Sequence, residues 1–78
     1  MPMTDGIKQL ALLYEAQGNY AEAEPLYVRA LAIEETSLGP DHPEVLQSLR
    51  NYAALLRKMG RTAKAVKMEA RAAAIRKL

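Results

Sequence analysis

A chain of 78 residues, half of them hydrophobic and with a net charge of +2, can form at most one small domain, near the lower limit at which a single core stabilises a fold. It has no cysteine, which excludes disulfides and thiolate metal sites, and no apolar run approaches the roughly 20 residues of a membrane span. The opening MPMTDG lacks a basic flank followed by an apolar block, so no secretory signal is expected, and a soluble, cytoplasmic protein is the expectation.

Thr4 or Asp5 can cap a first helix whose apolar positions Ile7, Leu10, Ala11, Leu13 and Tyr14 recur every three or four residues. The helix is expected to end near Gln17, because Gly18 tolerates the left-handed conformation that stops helices. Asn19 can cap a second helix with Tyr20, Ala23, Leu26, Tyr27, Ala30, Leu31 and Ile33 on a broad apolar face. Pro25 falls past its first turn and predicts a slight kink or a late start. Gly39 and Pro40 stop that helix. In the loop that follows, Asp41 and Glu44 read as a capping box and Pro43 as the first turn of a third helix. The third helix, about Pro43 to Met59, turns Leu49, Tyr52, Ala53 and Leu56 inward. Gly60 ends it as Gly18 ended the first. A fourth, about Thr62 to Lys77, puts Ala65, Met68, Ala72 and Ile75 inward and Lys64, Lys67, Arg71 and Lys77 outward.

The second half copies the first. Ala11 and Ala53, Leu13 and Leu55, Gly18 and Gly60, Ala23 and Ala65, Ala30 and Ala72, and Ile33 and Ile75 are each 42 apart. A fixed period of this size marks a solenoid of stacked helical hairpins. The first copy reads Ile7, Leu10, Ala11, Tyr14, Ala23, Tyr27, Ala30, and the second Leu49, Tyr52, Ala53, Leu56, Ala65, Glu69, Ala72. This pattern resembles the tetratricopeptide repeat. The resemblance implies an all-α fold of two antiparallel hairpins stacked as a short right-handed solenoid. Repeat one covers about 4–38, the connector about 38–43 and repeat two about 43–78 of a single domain. The family's usual period is about 34 residues. The longer spacing, with AEPLY, ALAI and the GPDHPEV connector, is similar to the kinesin-light-chain type found in bacterial multi-repeat proteins. Thr62, Glu69 and Ala73 stand where the first copy has Tyr20, Tyr27 and Leu31, as in a C-terminal capping repeat, so the chain reads as the last two repeats of such an array.

Members of this family bind extended peptides on the concave face made by the first helix of each hairpin. Carried over, that face comprises Lys8, Gln9 and Leu12, flanked by Asp5 and Ala16, and then Gln47, Arg50, Asn51, Ala54, Arg57 and Lys58. Asn51 matches an asparagine that hydrogen-bonds a ligand backbone in related repeats, and Gln9 is its amide counterpart. The basic residues favour an acidic segment of a partner protein. A carboxylate clamp of the kind that grips chaperone tails is rejected: Lys8 and Asn51 match two of its positions, but Leu12 replaces a required asparagine and a third repeat is absent.

Catalysis is not expected. His42, the sole histidine, lacks a nucleophile partner and reads as a hydrogen-bond donor in a loop or at a helix end. Glu22 with Glu24, and Glu34 with Glu35, diverge on a helix and cannot share a metal without further ligands. The four glycines are isolated, so no phosphate loop or cofactor site is expected. Nucleic-acid binding by Lys64, Lys67 and Arg71 is the weaker alternative, since no aromatic interleaves them for base stacking.

A self-associating structural element is the other alternative. Residues 1–44 carry a net −6 and residues 45–78 a net +8. Superposing the copies sets Glu15, Glu22, Glu34 and Glu35 against Arg57, Lys64, Arg76 and Lys77. Ile7, Leu10, Leu13, Leu26 and Tyr27 have no upstream repeat to cover them, so a homo-oligomer, a dimer first, is expected.

Overall fold

The computed structural model describes residues 4–76, and the chain folds as four helices: α1 (Asp5–Ala16), α2 (Tyr20–Leu38), α3 (Pro43–Lys58) and α4 (Thr62–Arg76). Lys77, the expected end of the fourth helix, lies outside the described residues.

Two turns of identical design close the hairpins. After α1 the Gly18 N–H donates to the Glu15 carbonyl and the Asn19 N–H to that of Tyr14. After α3 the Gly60 N–H donates to Arg57 and the Arg61 N–H to Leu56. This double bond pattern needs a left-handed residue at its centre, and Gly18 (φ 80°) and Gly60 (φ 79°) supply it. The expected 42-residue duplication is therefore also a duplication of turn geometry.

Capping differs from expectation in three places. Thr4 precedes α1 as its cap residue, yet its hydroxyl donates to Glu34 instead of capping the helix. Asn19 caps α2 by position only, and its amide donates to Gln17. At α3 the capping residue is His42, whose Nδ1 accepts from the Glu44 N–H at 3.1 Å. This corrects both the capping box assigned to Asp41 and Glu44 and the donor role assigned to His42. The helix begins at Pro43 as expected, so its capping position falls on the adjoining His42 and not on Asp41. Of the slight kink or late start expected at Pro25, the late start does not occur: α2 begins at Tyr20 and runs on through the proline. The carbonyl that Pro25 cannot satisfy belongs to the exposed Ala21, where solvent can take the lost donor's place.

α1 packs on α2, α2 on α3 and α3 on α4, so α3 is clamped between two helices while α1 has one large contact. The Cα trace is 14 Å deep, about two helix radii plus one interaxial spacing, which makes two layers. Ala11, Ala23, Ala53 and Ala65 are buried at the crossings with Tyr27, Tyr52, Leu55 and Leu56, and a second cluster joins Leu31, Val45, Leu49 and Ala72. Small residues here let helix backbones approach, and the large ones fill the space between crossings. Tyr27, expected among the uncovered apolar residues of the first repeat, is buried instead, because its own hairpin and α3 enclose it.

Candidate functional site

Asp5, Lys8, Gln9, Leu12 and Ala16 form one stripe of α1. Gln47, Arg50, Asn51, Ala54, Arg57 and Lys58 form one stripe of α3. All are exposed except Lys8 and Asn51, which are half-buried. An ion pair between Lys58 Nζ and Glu15 Oε2, at 2.7 Å, joins the C-terminal ends of the two helices. α1 and α3 therefore lie close enough to be read together.

The cations of this surface are mostly engaged. Arg57 forks onto Glu69 of α4, Nε to Oε2 at 2.7 Å and Nη2 to Oε1 at 2.6 Å. These bonds hold the guanidinium pKa above its usual value and the Glu69 carboxyl below its own. Lys58 is likewise raised, chiefly by its hydrogen bond to Glu15. Lys8 turns inward to Glu34 Oε2 at 2.7 Å and keeps only 18% of its side chain exposed. Arg50 is the remaining base of the set, exposed and with no ion pair among the described residues.

Asn51 is held by its neighbour one turn earlier: Gln47 Nε2 donates to Asn51 Oδ1 at 3.2 Å. That bond uses one lone pair of the asparagine's oxygen and leaves its NH2 group to donate. Gln9 and Leu12 are exposed on α1, so the two stripes together present amides, one large apolar side chain and a guanidinium with no ion pair among the described residues.

Beneath this face lies Glu34, expected in the sequence as a helical neighbour of Glu35 and as the counterpart of Arg76 in the second copy. Glu34 is 0% exposed and accepts from Thr4 Oγ1 at 3.3 Å, from Ser48 Oγ, and from the Lys8 ammonium. Two signals mark it in the sequence: Glu34 continues the buried stripe Ala23, Tyr27, Ala30, Leu31, and Ser48 interrupts the apolar stripe of α3.

The acidic first repeat meets the basic second within the chain. Besides Lys58 with Glu15, Arg61 reaches Glu24 at 3.1 Å, Lys64 reaches Glu24 at 3.7 Å, and Arg71 reaches Glu35 at 2.5 Å. Of the Lys64, Lys67 and Arg71 stripe only Lys67 remains unpaired among the described residues, which weakens its case as a phosphate-binding surface. Among those residues no three of His, Cys, Asp and Glu cluster to hold a metal, and no helix is long and apolar enough to cross a membrane.

Comparison with known proteins agrees with the repeat geometry. A family model described as tetratricopeptide repeat matches residues 4–77, and its description does not distinguish the kinesin-light-chain type. No curated protein matches the chain.

Proposed function

This chain belongs to the tetratricopeptide-repeat family, a non-enzymatic protein-interaction fold, and we propose that it binds an extended segment of a partner protein along the stripe shared by α1 and α3. The observation that carries this reading is the presence of an Asn51 amide whose NH2 group is left to donate, of exposed Leu12 and of Arg50, which has no ion pair among the described residues, on α1 and α3. Asn51 and Gln9 would bond the partner's backbone, Leu12 would meet an apolar side chain over Ala54, and Arg50 would favour an acidic one. Gln47 positions Asn51. Lys8, Arg57 and Lys58 contribute less than their charge suggests, because each already neutralises a carboxylate.

The experiment is an NMR shift titration with a Glu- and Leu-containing peptide and its Lys-for-Glu counterpart. Shifts along α1 and α3, weakened by Asn51→Ala and by Arg50→Ala, support the reading. Shifts centred on Lys64 and Lys67 reject it.

A second copy of the chain is the other partner we propose, with a dimer as the smallest assembly. It is supported by Leu10 and Leu13, large apolar side chains of α1 left exposed on the face where an upstream repeat would sit.

A further inference from the structure

The contact between the two hairpins is a template for a contact between two chains. Inside the chain, the Tyr52 hydroxyl of α3 donates to Glu24 Oε2 of α2 at 3.0 Å. Lys64 approaches the same carboxylate at 3.7 Å, and its ammonium lies 5.5 Å from the Tyr52 ring centroid. Glu24, Pro25, Tyr52 and Lys64 all line one groove.

Shifting each residue by the 42-residue period gives what the next hairpin would bring if seated on α4 in the same way. Leu10 takes the place of Tyr52 and Val66 that of Glu24; Glu22 replaces Lys64 and Lys67 replaces Pro25. A hydrogen-bonded pair becomes an apolar pair at both ends at once. A base beside a proline becomes an acid beside a base. Neither exchange has a use within one chain, where Leu10 is 41% and Val66 51% exposed. Glu22 and Lys67 are exposed and without an ion pair among the described residues.

We infer that the open face of α1 receives α4 of a second copy, head to tail, with Leu10 against Val66 and Glu22 against Lys67. This rests on the self-association proposed above and specifies which surfaces meet. A two-fold dimer of first repeats would instead set −6 halves against each other, with Glu22 facing no base. The ion pairs between the hairpins are not reproduced by the shift. Lys58 with Glu15 becomes Ala16 with Arg57, and Lys64 with Glu24 becomes Glu22 with Val66. Arg71 with Glu35 becomes, by sequence, the like-charged Arg29 with Lys77, so apolar burial must carry the contact. Because the two faces differ, the contact does not close on itself, and assembly continues past two copies as concentration rises.

The test is light-scattering mass on the full chain over a concentration series, with thermal melts to confirm that each variant folds. Leu13→Glu blocks the α1 face and Val66→Glu blocks the α4 face; both positions are exposed. Each variant alone should remain monomeric. Their equimolar mixture should form a one-to-one pair, since the intact α4 of one chain meets the intact α1 of the other. Glu22→Lys or Lys67→Glu alone should weaken association roughly two- to fivefold, as for an exposed pair, and the two together should restore it. A wild type that stays monomeric at hundreds of micromolar overturns self-association altogether. Association of Val66→Glu as strong as the wild type's overturns the head-to-tail contact and leaves a two-fold dimer in its place.

Discussion

Leu13 and Leu55 occupy the same place in successive hairpins, 42 residues apart, yet Leu13 is 53% exposed and Leu55 0%. The difference lies in the neighbours: Leu55 belongs to α3, which has α2 on one side and α4 on the other, whereas α1 has one large contact, with α2. Leu10 and Tyr52 repeat the contrast. Two copies of one pattern thus yield one hairpin with a complete core and one with an open side.

Overpacking tests the crossings. Ala11 and Ala53 are buried among large side chains, so Ala11→Leu or Ala53→Leu should destabilise by about 1–3 kcal/mol. An unchanged melting midpoint in both variants would mean that the helices do not cross there.

Glu34 ties three helices together through Thr4, Lys8 and Ser48. Glu34→Ala would strand the Thr4 and Ser48 hydroxyls in a buried space, at about 1–3 kcal/mol, while Glu34→Gln keeps hydrogen-bonding atoms in place and should cost less. Urea denaturation measures both. Equal losses would show that charge, not hydrogen bonding, is what the site requires.

Tyr27 makes stability fall at alkaline pH. Burial first, then the hydrogen bond at 2.7 Å to Glu15, raises its hydroxyl pKa above the ordinary 10.0. A raised folded pKa gives a contribution fully present below about pH 10 and lost as pH climbs from there. Lys58, raised by Glu15, acts in the same direction. Tyr27→Phe should cost about 0.5–1.5 kcal/mol at neutral pH and flatten the alkaline decline. A decline as steep as the wild type's would assign it to other groups.

Much of this architecture is legible in the residues. Gly18 and Gly60 announce the turns, and Ala11, Ala23, Ala53 and Ala65 the crossings, because each effect is local or periodic. Pairing across helices is harder to read. Lys8, Arg57 and Lys58 read as free cations until packing brings Glu34, Glu69 and Glu15 to them from other helices. His42 was obscured by Asp41, a better capping residue one position too early. The candidate face is the one that the family resemblance implies, and the bond that orients Asn51 depends on the rotamer of Gln47, which no spacing specifies.

The asymmetry between the two repeats is open to amide hydrogen exchange, which reports local opening residue by residue. At concentrations below self-association, amides of α3 from Leu49 to Leu56 should exchange most slowly and those of α1 markedly faster. Raising the concentration should slow exchange in α1 and α4 while leaving α3 unchanged. Amides of α1 as well protected as those of α3 in dilute solution would contradict the account, because they would show a first repeat already complete without a neighbour.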